Sequence, residues 1–123
     1  MLQYSDMIQF YGYNKCSSCL KAKKLFKEHA IPFEDIDITS HPPAKKLLQA
    51  IVKSGDYTLR QLFNTSGQLY REMRIKEKIG DVSETELVDL LSKHGKLVKR
   101  PLISDGKRYS VGYREEQIRK IWL

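Results

Sequence analysis

The sequence predicts a single α/β domain in which a β-α-β unit is followed by several helices and then by β-β-α. Two apolar runs enclose a segment of helical periodicity at the start, and a hairpin signal precedes a last helix at the end. The chain has 123 residues, which suits one domain, and its hydrophobic content of 41% is that of a globular protein. We expect the domain to span residues 1–123, with a helical insertion at about 43–95.

The first third of the chain has the pattern of a parallel βαβ unit. Met7 to Tyr11 is an apolar and aromatic run, which predicts a buried strand. Residues 17–30 repeat apolar side chains at helical spacing, and Pro32 follows them. Residues 33–38 have apolar ends and suit a second strand. Two strands joined by one helix are typically parallel neighbours in a sheet.

The middle of the chain reads as a series of helices. Pro43 suits the first turn of a helix that Gly55 ends. A short helical piece at 59–63 and a turn cluster at 64–67 lead to a weakly helical stretch at 68–79. This succession predicts an insertion without strands.

A clearer helix closes the insertion. Ser83 and Glu86 have the spacing of a capping box, and Gly95 ends the periodic segment that follows. Apolar residues recur along that segment on one side. We therefore expect it to pack one face inward.

The tail changes to a strand pattern. Asp105-Gly106 is a strong signal for a two-residue hairpin between Leu102-Ile103 and the run at 108–113. A final helix carries acids in its first turn and bases in its last turn, which suits the helix dipole.

The charge balance limits the classes of partner. Lys and Arg number 22 against 15 Asp and Glu, a net charge of +7, but the basic residues are dispersed among acids. This pattern favours solvated helix faces, or attraction to a small anion or an acidic protein, over direct nucleic-acid binding. No apolar run approaches the roughly 18 residues of a membrane span, and the first residues lack a secretory leader. We expect a cytoplasmic protein without membrane contact.

The segment Cys16-Ser17-Ser18-Cys19 carries the chemical signal. It follows the first strand and opens the first helix, where the partial positive charge of the helix N-terminus stabilises a thiolate. Lys15 adds a positive charge. Cys19 lies one turn further on, where it can resolve a mixed disulfide on Cys16. A CxxC in a βαβ context predicts a redox pair.

Two other interpretations of the cysteines stay open. They could form half of a zinc site completed by two of three histidines, which are His29, His41 and His94. Those histidines lack a paired ligand spacing, so we expect no metal. The cysteines could also be inert buried hydrophobes, but the two polar serines between them argue against this.

At this point the sequence resembles the arsenate reductase (glutaredoxin-coupled)/Spx family, whose fold is thioredoxin-like. The resemblance covers nearly the whole chain and is carried by FYGYNKCSSCLKAKKLFKEHAIPFEDIDI at 10–38, FNTSGQLYRE at 63–72 and KHGKLVKRPLISDGKRYSVGY at 93–113. The chain is most similar to the reductase members that have both CxxC and FNTSG. The resemblance implies a thioredoxin-like core with the helical insertion between its second and third strands.

The resemblance also implies roles for individual residues. Cys16 matches the catalytic cysteine and Cys19 its redox partner. Arg100 matches an arginine that faces the catalytic cysteine and binds an oxyanion, and Pro101 matches a proline that is cis in these folds. The candidate substrate-binding residues are Lys15, Ser17, Ser18, Asn64 and Pro101.

Some positions depart from the family pattern. Dedicated arsenate reductases use further arginines, but this chain has Leu20, Asn64 and the segment 111–113 at the corresponding places. Binding a phosphate-like anion takes several charge-assisted donors. The departures therefore predict inefficient arsenate reduction.

Two functions are consistent with these features. The first is a thiol–disulfide oxidoreductase with no bound cofactor, which draws electrons from glutathione, glutaredoxin or thioredoxin and acts on a disulfide or an oxyanion. The second is an Spx-like redox-sensing regulator that binds the C-terminal domain of the RNA polymerase α-subunit. Such regulators usually differ at 63–72 and carry a basic tail beyond the last helix, and these differences favour the enzyme.

Overall fold

A four-stranded mixed sheet organises the part of the chain that the computed structural model describes, residues 7–123. Its strands are β1 (Ile8–Gly12), β2 (Phe33–Asp37), β3 (Leu102–Ser104) and β4 (Tyr109–Val111), in the spatial order β2-β1-β3-β4. β1 pairs in parallel with β2 and antiparallel with β3, and β3 pairs antiparallel with β4. The predicted βαβ opening and the closing hairpin are both present.

Two helices pack against this sheet through apolar side chains. Helix α1 (Ser17–Glu28) joins β1 to β2, and helix α6 (Glu115–Trp122) follows β4. Their buried residues share one core cluster with the two central strands, which contains Phe10, Cys19, Ala22, Leu25, Phe26, Ile103, Ile118 and Trp122. The Trp122 indole N–H donates to the buried Ser110 hydroxyl at 2.9 Å, so its polar atom is satisfied inside the core.

The chain divides into two compact units. One comprises the residues up to 37 together with 100–123, and the other comprises residues 38–99. The second unit lies between the second and third strands in the chain order and is helical, so the predicted thioredoxin-like core with a helical insertion is confirmed. The prediction of a single domain over residues 1–123, with its insertion at about 43–95, stays a prediction.

The helical unit contains four α-helices, which are α2 (Lys45–Ser54), α3 (Gln68–Glu72), α4 (Ile75–Lys78) and α5 (Glu84–Lys93). Short 3₁₀ turns at Arg60–Leu62 and Gly95–Leu97 complete it. The predicted caps are present: Gly55 ends α2 with φ of 81°, and the Ser83 hydroxyl accepts from the Glu86 N–H at 3.2 Å. Gly95 lies against the Ile38 carbonyl, where a Cβ atom would collide with the backbone.

Three local predictions about the helices need correction. Pro43 precedes the N-cap of α2, Ala44, and is not in the first helical turn. Helix α1 ends at Glu28, short of residue 30, because Ala30 takes a left-handed conformation with φ of 53°. The stretch 68–79 forms two short helices because Arg74, with φ of 52°, interrupts it.

The hairpin between β3 and β4 also differs from its prediction. The last pair across it is Ser104 and Tyr109, so the connection has four residues instead of two. The Asp105 carboxylate accepts from the backbone N–H groups of Lys107, at 2.9 Å, and Arg108, at 2.7 Å. A side chain that satisfies the loop backbone in this way stabilises a longer turn than Asp-Gly alone suggests.

Within residues 7–123, no helix has the length and apolar character that crossing a membrane requires. The expectation about a secretory leader depends partly on residues 1–6, which lie outside the described part of the chain.

Candidate redox site

The turn from β1 into α1 places Cys16 at the start of the helix. The Cys16 N–H donates to the Tyr13 carbonyl at 3.0 Å, and the Leu20 N–H donates to the Cys16 carbonyl at 3.1 Å. Cys16 is the N-cap residue, with an extended backbone of φ −88° and ψ 117°. No acidic side chain lies in the first turn of the helix to oppose a thiolate there.

The two cysteines differ in their surroundings. Cys16 is partly exposed, whereas Cys19 is fully buried. Burial and a hydrogen bond to Cys16 raise the pKa of the Cys19 thiol to about 12. A hydrogen bond from the Tyr13 backbone and the positive charge of Arg100 act in the opposite direction on that pKa. Cys19 therefore keeps its proton at neutral pH while Cys16 is the sulfur that solvent can reach.

Gly12 provides the space that the Cys19 sulfur occupies. A Cβ atom at Gly12 would lie 3.1 Å from Cys19 Sγ and 2.9 Å from the Phe10 ring. Any larger residue at this end of β1 would therefore crowd the sulfur. Close approach of backbone to a side chain is a common reason for glycine in a strand.

Arg100 lies at the same site. The Arg100–Pro101 peptide bond is cis, as the resemblance implied. The Gly112 N–H donates to the Pro101 carbonyl at 2.9 Å, which fixes the residue after Arg100 to the chain beyond β4. The Arg100 guanidinium lies 5.5 Å from the centre of the Tyr13 ring, and its charge reaches the Cys19 thiol.

Most of the remaining candidate substrate-binding residues lie at the start of α1 or directly before it. Lys15 and Ser17 are exposed there, and Ser18 is partly buried. Asn64 belongs to the helical unit, where its N–H donates to the Leu97 carbonyl at 2.7 Å. A role for any of these residues in substrate binding stays a prediction.

Sequence reasoning missed two residues at this site, Gly12 and Tyr13. Neither residue has a predicted role, although both stand in the segment that carries the family resemblance. Their position directly before the CxxC was the one available signal. The contact of the Tyr13 ring with Arg100 depends on the pairing of β1 with β3, which no local pattern reveals.

A zinc site at the cysteines would need further ligands close to them, and the described residues hold no such cluster. Residues 7–123 hold no group of three or more His, Cys, Asp or Glu side chains close enough to bind a metal ion. The His29 ring lies instead against its own helix, with Nδ1 at 3.0 Å from the Leu25 carbonyl oxygen.

These features give the site the parts needed for thiol–disulfide exchange. An accessible sulfur at a helix N-terminus can attack, a second sulfur is hydrogen-bonded to it, and the charge of Arg100 acts on that second sulfur.

Comparisons with known proteins identify the relatives of this chain. The chain matches the ArsC family over residues 11–121. It is 43% identical to the uncharacterized protein YusI of Bacillus subtilis over 115 residues, which are 94% of this chain and 98% of that protein. It is 30% identical to the global transcriptional regulator Spx of Streptococcus pneumoniae over 113 residues, covering 92% of this chain and 84% of the regulator.

A solved structure shows the same fold. The crystal structure of a possible arsenate reductase from Streptococcus mutans superposes with a TM-score of 0.84 at 38% identity, covering 93% of this chain and 98% of that one.

Proposed function

The chain belongs to the ArsC family, and we propose that it is a thiol–disulfide oxidoreductase that uses Cys16 and Cys19 as its redox pair. The observation that carries this proposal is the asymmetry of the two sulfurs. Cys16 is partly exposed at the N-cap of α1, and the buried Cys19 thiol is hydrogen-bonded to it. An accessible nucleophile and a protected resolving thiol are what a two-step exchange needs.

The reaction proceeds through a mixed disulfide. The Cys16 thiolate attacks one sulfur of a substrate disulfide, forms a bond to it and releases the other sulfur as a thiolate. Cys19 then loses its proton to solvent and attacks Cys16 Sγ, which releases the second substrate thiol. The substrate gains two electrons, and the protein is left with a Cys16–Cys19 disulfide.

An external thiol returns the protein to its reduced form. Glutathione, glutaredoxin or thioredoxin supplies the two electrons, and no bound cofactor takes part. This chain lacks the further arginines that dedicated arsenate reductases use. A disulfide is therefore the preferred substrate over arsenate. A cytoplasmic location belongs to the same proposal, since the reduced state must be restored by such thiols.

The test is a steady-state assay of wild type, Cys16→Ser and Cys19→Ser on glutathione mixed disulfides and on insulin disulfides, with each reductant. We expect Cys16→Ser to lose turnover entirely. Cys19→Ser should accumulate a mixed disulfide on Cys16 that mass spectrometry detects. The two variants serve as matched controls, since each removes one sulfur from the same turn. Full turnover by Cys16→Ser would contradict the proposal.

A second candidate function rests on the relatives named as the regulator Spx. In that interpretation the Cys16/Cys19 pair is a thiol switch, and the protein binds the C-terminal domain of the RNA polymerase α-subunit. A pull-down of the purified α-subunit by reduced and oxidised protein tests it. A stable complex that depends on the redox state, without turnover in the assay above, would favour the regulator over the enzyme.

A further inference from the structure

A row of accessible side chains on α1 leads away from Cys16. The Leu20 N–H donates to the Cys16 carbonyl at 3.1 Å, so Leu20 is the next residue on the same side of the helix, and Lys24 follows four residues further on. Cys16 is partly exposed, and Leu20 and Lys24 are exposed. At about 1.5 Å of rise per residue, the row extends about 12 Å along α1. A molecule that reaches the Cys16 sulfur and extends along α1 would meet these side chains.

Leu20 gives this row an apolar contact. Its side chain is 54% exposed, more than any other large apolar side chain of residues 7–123. A single exposed leucine is ordinary by itself, but this one lies one helical turn from the sulfur that reacts with a partner. Its apolar surface is suited to burial against a macromolecule, since a small thiol would leave most of it in water.

Lys21 and Lys24 give the same side of α1 a positive charge. Both side chains are exposed, and within residues 7–123 neither is in an ion pair. The Lys21 Nζ atom lies 5.9 Å from the centre of the Tyr113 ring, just before α6. The one acidic residue of α1 is Glu28, at its last position. The end of the helix that carries Cys16 therefore presents cations without neighbouring carboxylates from α1.

A cleft between α1 and α6 borders these lysines. It has a volume of about 530 Å³, and its lining includes both lysines, the buried Leu25 and the Tyr113 ring. Of the other charged residues that line it, Arg119 is paired with Glu115 at 3.8 Å. The cleft gives the basic surface a concave part with an apolar floor, which fits a protruding segment of a partner protein.

We propose that the surface formed by Leu20, Lys21 and Lys24 is the docking surface for an acidic protein dithiol that reduces the Cys16–Cys19 disulfide. This inference rests on the proposed redox pair and names the class of its reductant. The docking residues belong to the same compact unit as the two cysteines.

Charge complementarity favours an acidic protein over a small anion as the occupant. An exposed lysine contributes little to holding a free ion in water, where the charges are screened. Two such lysines beside the reacting sulfur act differently on a protein with a negative surface, because they steer its approach and orient it. Leu20 then adds an apolar contact that a small anion would not cover.

The reduction is complete after two exchanges. One thiolate of the acidic protein attacks the Cys16 sulfur, forms a mixed disulfide with it and releases Cys19 as a thiolate that takes a proton from solvent. The second thiol of the acidic protein loses its proton and attacks the partner-side sulfur of the mixed disulfide, which releases Cys16. This chain gains two electrons, and the acidic protein is left with a disulfide. The attack falls on Cys16 because Cys19 is fully buried.

The experiment compares reductants of different charge and size on the oxidised full chain. Dithiothreitol is uncharged, glutathione is a small anion, and an acidic thioredoxin and an acidic glutaredoxin are the protein dithiols. Second-order rates of reduction are measured by quenching with iodoacetamide and counting the labelled cysteines by mass spectrometry. Each rate is measured at ionic strengths of about 0.02 M and about 0.5 M, where exposed charges act over long and short distances respectively.

We expect the double variant Lys21→Gln/Lys24→Gln to be reduced about three- to tenfold more slowly than wild type by the acidic proteins at low ionic strength. The difference should shrink at high ionic strength, because salt screens exposed charges. Leu20→Gln should slow the same reductants at both ionic strengths, since its contact is apolar. The rate with dithiothreitol should stay at the wild-type value in all of these variants, which also shows that they are folded.

A matched control separates the docking surface from net charge. Lys107→Gln/Lys120→Gln removes the same charge from two other exposed lysines. Both lie at the end of the sheet away from Cys16, since the β3–β4 hairpin adjoins the start of β1 and also contacts the end of α6. We expect this control to be reduced at close to the wild-type rate by every reductant.

Several outcomes would overturn the docking surface while leaving the redox pair intact. These are wild-type rates in Lys21→Gln/Lys24→Gln, an equal loss in the matched control, an equal loss with glutathione, and reduction of wild type by dithiothreitol but by neither acidic protein. Failure of a Cys16–Cys19 disulfide to form on mild oxidation would instead refute the proposed redox pair itself.

Discussion

Cys16 and Cys19 carry the same functional group, but their positions on α1 give them different chemistry. Cys16 is at the N-cap, a position where helices leave backbone N–H groups without intrahelical partners, and Cys19 is buried in the apolar core cluster. One helical turn brings the two sulfurs together, but it leaves Cys16 partly exposed and Cys19 buried. The division of roles that we propose, between nucleophile and resolver, follows from this difference.

Selective alkylation checks the division of roles. In limited reaction of the reduced protein with iodoacetamide at neutral pH, we expect Cys16 to be labelled first and Cys19 to be protected, because Cys19 is fully buried and its pKa is raised to about 12. Peptide mass spectrometry measures the order of labelling. Labelling in urea serves as the control, where both cysteines should react alike, and preferential labelling of Cys19 in the native protein would contradict the assignment.

Gly12→Ala tests the packing around the resolving sulfur. The added methyl group would lie within about 3 Å of Phe10 and Cys19, at 2.9 and 3.1 Å, so we expect a loss of about 1–3 kcal/mol in the free energy of unfolding. Urea denaturation measures it. The same substitution should slow closure of the Cys16–Cys19 disulfide, since the sulfur must shift.

Removal of the sulfur supplies the control for this variant. In a Cys19→Ala background, one of the two crowded contacts of Gly12→Ala is gone, and the substitution should cost less stability than in wild type. An equal cost in both backgrounds would show that the sulfur does not limit the space at Gly12.

At the scale of elements, α2 and α5 of the helical unit are joined by an ion pair. Asp89 on α5 is paired with Lys45 of α2 and with Lys93 one turn further along α5. Hydrogen bonds from Lys45 and Lys93 lower the pKa of Asp89. The link between these helices therefore depends on pH.

The sign of that dependence follows from the lowered pKa. A carboxyl group whose pKa is lower in the folded state stabilises the fold above its unfolded pKa of about 3.9, and the contribution is lost as pH falls through the folded pKa. We expect Asp89→Asn to be less stable than wild type at neutral pH, with the difference shrinking below about pH 4. Urea titrations at several pH values measure this.

Neighbouring lysines provide a matched control for the ion pair. Lys45→Gln should reproduce part of the effect of Asp89→Asn, because it removes one partner. Lys46→Gln changes the same charge on the same helix, but no ion pair to Lys46 is present among the described residues, so its effect should be close to zero. Equal effects of the two lysine variants would show that general charge, not the pair, sets the stability.

At the scale of the whole molecule, we expect the number of cations near the two cysteines to limit the substrates that the protein accepts. Arg100 is the arginine whose charge acts on the Cys19 thiol, and Leu20, which is 54% exposed, follows Cys19 in the first turn of α1. The net charge of +7 is spread over the chain and does not replace specific donors.

The molecule should therefore reduce disulfides far better than arsenate. Even two of these missing arginine contacts, at about 1.5–3 kcal/mol each, correspond to several decades in rate. A steady-state comparison of arsenate with glutathione mixed disulfides, using glutaredoxin as reductant, measures the preference. Leu20→Arg provides a directed control, since it should raise arsenate turnover without a matching gain on disulfides. Robust arsenate reduction by wild type would show that having Leu20 and Asn64 in place of arginines does not impair arsenate reduction.

Local patterns were sufficient for much of the fold. The βαβ opening, the Gly55 and Ser83 caps and the CxxC at the start of α1 were predicted correctly, because each depends on residues within one or two turns of chain. The Asp105 loop and the Arg74 interruption were mispredicted, because side-chain hydrogen bonds and single-residue backbone conformations decided them.

The sequence by itself determined that Cys16 and Cys19 lie one turn apart at the start of a helix, since a helical turn fixes their separation whatever the rest of the chain does. Only the tertiary structure placed Arg100 and Tyr13 together and left Gly12 against the Cys19 sulfur. The contact of Tyr13 with Arg100 joins residues far apart in the chain through the antiparallel pairing of β1 with β3. The register of that pairing is set by packing of the whole sheet, and no local period of the sequence encodes it.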